Sequence, residues 1–484
     1  MSLKDTMVIP ANAILSRAPG LSSFPRDERL LVIEKESASW MVLEGRERQV
    51  FKEFTRPLAF PDFISLAKGH GIDDSDRAAD FAARLYLKGI IESNGRHFCN
   101  VRSLWDHSKT YTYPGFLCLH PTEQCNFGCH YCLSRAGLHR EKMPLATGEK
   151  IIDKILTELP LRHLCVDFHG GEPFLVIDEV KRLIDRAHRL GREGRKKVTF
   201  CIQTNGSLVT GEDIDWLRQY DTELGFSIDG PEEIHDRHRV FSDGRGSFRK
   251  VWENFERVRE QWKPPGVLAV VDDPLFYNDV FDFFVSKGIR SFRINFSSCI
   301  GRAEDELEFS LTRAEEFATH YLEMVDRAYH FAKEHGVRLK IEDLTNQIRN
   351  IVTRERPFMC DRSPCGAGRS ILGFGTDGGI YACEEVAGLG DFRVGNIFKV
   401  PSLKNMVDEN LILRGLYERT VENIPKCRKC TYKRFCGGGC TTKTFTWFGS
   451  FMRESPMCRF YQKVYHELFW KIHERPDMVE LLSA

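Results

Sequence analysis

From Phe116 onward, short β-rich runs alternate with amphipathic helical segments, and this alternation constrains the fold more than any other feature. The runs are FLCLH, LCVDFHG, VTFCIQTNG, LGFSIDG, VLAVV and FRINF. Helical periodicity predicts helices over 146–159, 174–190, 248–262, 276–287 and 311–335. Strands that alternate with helices pair in parallel, so we expect an α/β fold built on a partial, TIM-like (β/α)6 barrel.

The regions on either side of this alternation have a different texture. Residues 1–105 contain two strand-like runs, 29–35 and 37–43, followed by helical patterns near 44–56, 60–70 and 74–91. A hairpin followed by helices predicts a winged-helix-like domain. After residue 355, glycine, proline and cysteine are frequent and periodicity is weak, as expected where metal ligation replaces a large apolar core.

A chain of 484 residues is long enough for several separate cores. We expect four units along it. They are the winged-helix-like domain (1–105), the partial barrel (106–310), a helical bridge (311–354) and a cysteine-rich domain with a C-terminal helix (355–484).

The charge balance argues against a nucleic acid or an acidic membrane as partner, because 69 Lys and Arg offset 69 Asp and Glu. Residues 1–105 alone carry 15 basic and 14 acidic side chains, which is poor support for a winged helix that reads DNA. The N-terminus lacks the apolar core of a signal peptide, and no stretch approaches the roughly 18 apolar residues of a membrane helix. A cytoplasmic location is therefore expected.

The first cysteine cluster is CNFGCHYC, in which Cys125, Cys129 and Cys132 follow the first strand run of the expected barrel. Parallel barrels keep their active sites on loops at the carboxyl ends of the strands, which is where this cluster falls. Three thiolates suit a [4Fe–4S] cluster with one open iron, whereas a structural zinc needs four closed ligands. An iron–sulfur cluster that can bind a substrate is the favoured interpretation.

With Tyr131 before its last cysteine, this cluster resembles the signature of the radical S-adenosylmethionine (radical SAM) family, CxxxCxΦC with an aromatic residue at Φ. The resemblance continues at later strand ends, in the order GGEP, QTNG and SIDG. It implies that the following residues contact SAM: Tyr131 beside the adenine, Gly170, Gly171, Glu172 and Pro173 near the amino group, then Gln203, Asn205, Ser227 and Asp229, and Arg239 at the carboxylate. Arg237 competes with Arg239 for the last role.

The family resemblance also implies a reaction. The open iron chelates the amino and carboxylate groups of SAM, an electron enters the sulfonium, and methionine leaves beside a 5′-deoxyadenosyl radical. That radical removes a hydrogen atom from the substrate, so the barrel must hold the substrate close and exclude water. The resemblance further implies an electron donor such as flavodoxin or ferredoxin.

A second cysteine constellation, CRKCTYKRFCGGGC, has the spacing CxxCx5Cx3C. With its neighbours it resembles the SPASM extension of radical SAM enzymes that modify peptides and proteins. The resemblance implies two auxiliary [4Fe–4S] clusters, three clusters in all. The inner one would be held by Cys360, Cys365, Cys383 and Cys440, and the outer one by Cys427, Cys430, Cys436 and Cys458.

Two of the assignments in this region leave alternatives open. Cys360 closes the inner cluster, or that cluster keeps a site for a substrate thiolate. Glu384 follows Cys383, where sulfatase-maturing relatives place an aspartate base, so it is a candidate for proton removal, and a solvated acidic pair with Glu385 is the alternative.

In layout, residues 1–105 resemble the peptide-recognition domain of SPASM enzymes that act on ribosomally made peptides. Such a unit binds a leader peptide as an added strand and raises the concentration of the core peptide at the barrel. We therefore expect a peptide maturase, of the sactisynthase-like kind, that forms an intrapeptide crosslink, with a Cys thioether as first candidate and a carbon–carbon crosslink as second. The rivals are formylglycine formation, as in anaerobic sulfatase maturation, and a zinc-binding winged-helix regulator.

Overall fold

The computed structural model describes residues 9–99, 105, 113–137, 140–297, 300–303, 313–388 and 390–483. Its centre is a sheet of ten strands, in the order β13-β12-β11-β10-β9-β8-β7-β14-β15-β16. These strands are β7 (Phe116–Thr122), β8 (His163–Gly170), β9 (Lys197–Thr204), β10 (Thr222–Ser227), β11 (Gly266–Val271), β12 (Ser291–Phe296), β13 (Lys340–Ile341), β14 (Ile371–Phe374), β15 (Gly379–Tyr381) and β16 (Arg393–Asn396).

Strands β7 to β12 are the six predicted runs, and each pairs in parallel with the next. Because strands that follow one another in the chain are neighbours in the sheet, right-handed connections place all the crossover helices on one face. These helices are α4 (Leu145–Glu158), α5 (Ile177–Glu193), α6 (Gly211–Leu217), α7 (Glu232–His235), α8 (Phe248–Gln261) and α9 (Phe276–Ser286). The opposite face is left for the site.

Strand alternation shows which residues lie on each face. In β7, Leu117 and Leu119 belong to the main apolar core against the helices, while Cys118 and His120 alternate with them on the opposite face. The same alternation in β8 places Asp167 opposite Phe168. The face away from the helices is therefore lined by polar and sulfur-bearing side chains.

The parallel sheet extends beyond the six predicted strands at both ends. Strand β13 pairs in parallel with β12, and β14 of the cysteine-rich region pairs in parallel with β7. Helices α10 (Ala314–His335) and α11 (Glu342–Val352) flank β13. An open parallel edge exposes unpaired N–H and C=O groups, and these added strands satisfy them. The sequence contained no run long enough to predict either strand.

The N-terminal region contains the predicted strands and helices together with four strands that the sequence reading missed. The two predicted runs are β3 (Arg29–Glu34) and β4 (Ser39–Glu44), and the helices are α1 (Gly45–Glu53), α2 (Phe60–Gly69) and α3 (Ser75–Leu87). The additional strands are β1 (Ile14–Arg17), β2 (Leu21–Arg26), β5 (Leu58–Ala59) and β6 (Ile91–Ser93). They form two small sheets, β2-β3-β4 and β5-β1-β6.

The β2-β3-β4 sheet is buried on both faces. Leu30 and Val32 pack into the core of the N-terminal helices, while Leu31 and Ile33 pack into the main core of the chain. On that second side lies α16 (Cys458–Glu474), and the ring of its residue Phe469 is 5.1 Å from the ring of Trp40. The N-terminal unit therefore docks on the cysteine-rich region.

The cysteine-rich region has short elements: α12 (Leu403–Glu409), α13 (Leu411–Glu418), α14 (Lys433–Cys436), α15 (Thr441–Phe448), α16 and α17 (Met478–Leu482). Its irregular backbone leaves many carbonyls without partners in helices or sheets, and buried arginines supply donors. Arg419, 1% exposed, donates to the carbonyls of Phe451, Gly438 and Gly439. Within the described residues, no helix has the length and apolarity required to cross a bilayer.

Candidate active site

The loop that carries Cys125, Cys129 and Cys132 leaves the carboxyl end of β7 and is held in place by backbone pairing. The N–H of Gly128 donates to the carbonyl of Val240 at 2.8 Å, and the N–H of His130 donates to the carbonyl of His238 at 3.2 Å. This pairing ties the loop to residues 238–240.

Arg302 provides a second anchor for the loop, and the sequence reading missed it. Its guanidinium donates to the carbonyl of Cys129 at 2.6 Å and to the carbonyl of Ala136. Its own N–H donates to the carbonyl of Cys132 at 3.0 Å. The turn at Gly301 that precedes it has φ +71°, and a Cβ there would lie 2.3 Å from the Cys132 carbonyl oxygen. A glycine before an arginine is too weak a sequence signal to find such a contact.

Donors around the sulfur atoms fit an iron–sulfur cluster. The N–H of Phe127 donates to Cys125 Sγ and the N–H of Ala136 donates to Cys132 Sγ, both at 3.4 Å, and Asn205 Nδ2 lies 3.9 Å from Cys125 Sγ. Such N–H···S bonds stabilise thiolates and tune cluster potentials. Burial raises the pKa of Cys125 to about 12, so an iron ion must displace that thiol proton on binding.

Glu172, predicted near the SAM amino group, joins two of the predicted SAM segments. Its carboxylate is fully buried and accepts hydrogen bonds from Thr204 Oγ1 at 2.7 Å, from the N–H of Asn205 at 2.8 Å and from the N–H of Phe174 at 3.0 Å. Burial raises its pKa to about 7. The GGEP segment (residues 170–173) is thereby locked to the QTNG segment (203–206).

The backbone at the start of GGEP comes close to the cluster loop. A Cβ on Gly171 would lie 2.0 Å from the carbonyl oxygen of Gln124, and Gly170 adopts φ +105°. Only glycine allows this approach without displacing the loop. The two glycines therefore leave the GGEP backbone beside the space above Cys125, while Pro173 begins a 3-10 turn that leads into α5.

The other predicted SAM residues form a buried polar network. Asp229 accepts a hydrogen bond from Tyr131 Oη, pairs with Arg239 Nε at 2.9 Å and accepts from the N–H of Val270 at 2.8 Å. The Arg239 guanidinium carbon lies 5.3 Å from the centre of the Tyr131 ring. Tyr131, in the cluster loop, is thereby tied to the carboxyl end of β10.

Arg239 and Arg237 have different surroundings. Arg239 is 8% exposed and lies in the network beside Cys129, whereas Arg237 is half-exposed, lies 3.8 Å from Asp272 and stacks on Phe276. Arg239 therefore stays the predicted SAM contact of the two. Gln203 Nε2 donates to Ser227 Oγ at 3.0 Å, so these two predicted residues also lie together.

The eight C-terminal cysteines fall into the two predicted groups. Cys427, Cys430, Cys436 and Cys458 line one small cavity of about 20 Å³. The N–H of Tyr432 donates to Cys430 Sγ at 3.4 Å, and Gln462 Nε2 lies 3.7 Å from the same atom. Four thiols around one cavity with N–H donors to sulfur fit the outer cluster.

The four inner cysteines are also neighbours. Cys360 is exposed as a residue, yet burial of its thiol raises the pKa of that thiol well above the usual value, with Cys440 and Cys365 contributing. Burial also raises the pKa of the Cys383 thiol, and Cys360 is close enough to contribute to that increase. Cys440 Sγ is 3.3 Å from Glu385 Oε2. The donor set has room for Cys360 as fourth ligand.

A cavity of about 440 Å³ separates the first cluster loop from the cysteine-rich region. One wall consists of residues 133–136 of the cluster loop with Gly170 and Gly171. The other consists of 375–377, Tyr381, Glu385, 387 and 388. His120, near the carboxyl end of β7, contributes to the floor. A space of substrate size thus lies between two of the predicted SAM residues, Gly170 and Gly171, and the segment that follows Cys383.

Glu384, the predicted base, lies away from this wall. Its carboxylate, Cys118 Sγ and a carboxylate oxygen of Asp167 all lie within 4.8 Å of one another, on the sheet face below the cavity. Burial, and then Glu384, raise the pKa of Asp167 to about 8. Glu385, its neighbour in sequence, lines the cavity. Both acids belong to a single 3-10 turn (Glu384–Val386), in which adjacent side chains point roughly 120° apart. The sequence alone did not show which of the two faces the cavity.

Comparison with known proteins agrees with this geometry. Residues 119–274 match the model of the Radical SAM superfamily. An uncharacterized protein of Archaeoglobus fulgidus is 30% identical over 353 residues, 72% of this chain and 79% of that protein. A serine-type anaerobic sulfatase-maturating enzyme of Bacteroides thetaiotaomicron is 26% identical over 348 residues, 66% of this chain and 81% of that enzyme.

Two solved structures share the fold. Native anSMEcpe with bound AdoMet and Cp18Cys peptide superposes with a TM-score of 0.63 at 21% identity, covering 75% of this chain and 98% of that one. Streptococcus suis SuiB bound to its precursor peptide SuiA superposes with a TM-score of 0.53 at 14% identity, covering 92% and 99%. The family uses SAM and a [4Fe–4S] cluster, which excludes the zinc regulator as an alternative. The chain is an enzyme that belongs to the radical SAM superfamily.

Proposed function

We propose that this enzyme modifies a ribosomally made precursor peptide and forms a crosslink within it, with a Cys thioether as the first candidate product and a carbon–carbon crosslink as the second. The observation that carries the proposal is the cavity between the first cluster loop and the cysteine-rich region. A peptide residue held there has two predicted SAM contacts, Gly170 and Gly171, on one side and Glu385, which contacts the predicted inner ligand Cys440, on the other.

The residues of the chain have distinct tasks in this proposal. Cys125, Cys129 and Cys132 hold the SAM-binding cluster, and the eight C-terminal cysteines hold two auxiliary clusters. When bound, the first cluster with SAM would supply the radical that removes a hydrogen atom from the peptide, and an auxiliary cluster would accept the remaining electron. Flavodoxin or ferredoxin would donate the electron for SAM cleavage. The buried network of Tyr131, Asp229 and Arg239 orients the SAM end of the cavity.

The N-terminal unit is proposed to bind the leader of the precursor. Strands β2 and β4 are the edges of the three-stranded sheet, and Pro25 in β2 has no N–H to donate. We therefore assign the added strand to β4. The fold likeness to SuiB, which covers 92% of this chain, supports this assignment.

The similarity to a serine-type sulfatase-maturating enzyme favours one alternative, oxidation of a protein side chain to formylglycine. The test is anaerobic incubation of the reconstituted enzyme with leader-bearing candidate peptides, SAM and dithionite, followed by mass analysis. A crosslink lowers the mass by one H₂ and leaves no aldehyde. Formylglycine made from serine has the same mass change but reacts with a hydrazide probe.

Deletion of the leader separates the proposal from simple side-chain oxidation. We expect the leaderless peptide to lose modification while SAM cleavage continues. Cleavage of SAM without a change in any peptide would contradict the proposed substrate class.

A further inference from the structure

His120 is the feature of the cavity that the radical SAM assignment leaves unexplained. It ends the inward-facing row of β7, is 7% exposed and lines the cavity. Its Nε2 atom is buried and has no hydrogen-bond partner among the residues that the structure describes. Leaving a buried nitrogen unpaired costs free energy, so such an atom points to a group that arrives with a ligand.

The neighbours of His120 keep its ring uncharged. The ring of His169 lies 5.9 Å away, centre to centre, and its Nδ1 accepts the N–H of Gly170 at 2.9 Å. Burial, and then His169, lower the pKa of His120 to about 3. A neutral imidazole nitrogen forms a hydrogen bond with an amide, hydroxyl or ammonium group.

The charges around the cavity restrict the ligand further. Four acidic residues line it, Glu123, Glu141, Asp377 and Glu385, against one arginine, Arg135. Asp377 is paired with Arg393 at 2.7 Å, so the acidic excess rests on the other three. A carboxylate brought into this space meets an excess of like charge, whereas a neutral or cationic group does not.

We propose that this cavity is a subsite for a neutral or positively charged peptide segment, one polar group of which hydrogen-bonds Nε2 of His120. The inference rests on the proposed peptide substrate and adds its chemical class. His120 is then a binding residue that sets which peptide residue faces the predicted SAM end of the cavity. Its role requires a hydrogen bond and no proton transfer.

The test uses short peptides of defined charge. Acetylated and amidated pentapeptides Gly-Gly-Xaa-Gly-Gly, with Xaa as Gln, Lys or Glu, are bound to the reconstituted, SAM-loaded enzyme, and dissociation constants are measured by calorimetry. We expect the Glu peptide to bind about tenfold more weakly than the isosteric Gln peptide, because of charge.

Two substitutions at His120 test the hydrogen bond. His120→Leu should weaken binding of the Gln peptide by about fivefold, while His120→Gln, which keeps a polar atom near the Nε2 position, should retain most of it. His163→Leu is the matched control, because His163 begins β8 at the opposite end of the strand from the cavity. Iron content confirms that each variant has assembled.

Several outcomes would overturn the inference. They are equal binding of the Gln and Glu peptides, equal loss in His120→Leu and His120→Gln, no binding of any pentapeptide, or loss of peptide-independent SAM cleavage in the His120 variants. The last result would place His120 in the SAM site. Failure of the proposed function appears differently, as wild-type enzyme that leaves leader-bearing peptides unmodified.

Discussion

The loop around Cys125 and the segment around Cys430 both carry cluster cysteines, but they are held by different means. The first is anchored to the sheet through Val240 and His238 and through the guanidinium of Arg302. The second consists of one-turn helices and three successive glycines, Gly437 to Gly439, all with positive φ. The first loop is anchored to regular structure, whereas the second has little regular structure of its own, so we expect its backbone to depend on ligation.

The largest expected effect comes from removing ligands of the outer group. The double variant C430S/C436S should lose about four irons per chain, the content of one [4Fe–4S] cluster. Hydrogen exchange should rise throughout residues 419–458, because little apolar core remains there to hold the segment. The matched variant C125S/C129S should also lose iron, yet leave exchange in β7 to β9 nearly unchanged. If hydrogen exchange near the removed ligands rose equally in both variants, the two regions would not differ in how they are held.

An intermediate effect is expected from the anchor of the first loop. Arg302→Met removes two charge-assisted hydrogen bonds to the carbonyls of Cys129 and Ala136, together worth roughly 2–4 kcal/mol. We expect slower SAM cleavage and an altered electron paramagnetic resonance signal of the first cluster, with total iron reduced by less than one cluster. Arg249→Met is the control, because it removes an exposed guanidinium from α8 that, within the described residues, forms an ion pair only with Glu232. An unchanged signal in Arg302→Met would show that the backbone pairing alone holds the loop.

The smallest effect is expected where Asp167 of β8 meets Glu384 of the cysteine-rich region. The folded-state pKa of Asp167 is raised from its usual value to about 8, so the folded chain binds more protons than the unfolded chain between about pH 4 and pH 8. Stability from this group therefore falls as the pH rises through that window. Asp167→Asn should remove this pH dependence. The free energy of unfolding of the variant, relative to wild type, should therefore be larger at pH 8 than at pH 5 by on the order of 2 kcal/mol.

Thermal unfolding at the two pH values measures this difference. The single change Asp243→Asn, at an exposed carboxyl, serves as the control. A gain for Asp167→Asn that is the same at both pH values would mean that packing, and not protonation, causes it.

Much of the fold was predictable because it depends on local pattern. The six strands β7 to β12 and helices α4, α5, α8, α9 and α10 begin and end within a few residues of the predicted limits. The strands that were missed, such as β13 and β5, have two residues each and form because a longer edge strand needs a partner. Short pairing of this kind leaves no periodicity to detect.

The candidate site, like the fold, has residues that local sequence predicts and others that only distant contacts bring to it. Spacing, together with the position after the first strand run, predicts Cys125, Cys129 and Cys132 as ligands, while the grouping of the eight later cysteines is what the resemblance to the SPASM extension implies. Arg302, 170 positions beyond Cys132, carries no motif. Its contact arises because the loop after β12 returns to the loop after β7.

What the sequence determined by itself is the succession of strands and helices, since it follows from residue type and spacing, and the set of cysteines that we predict as ligands. Which polar side chains share the cavity was settled by folding. His120 and Glu385 lie on it, while Glu384 turns toward Asp167. The physical reason is that a side chain's direction depends on register and on packing against distant segments, and a shift of one residue reverses it.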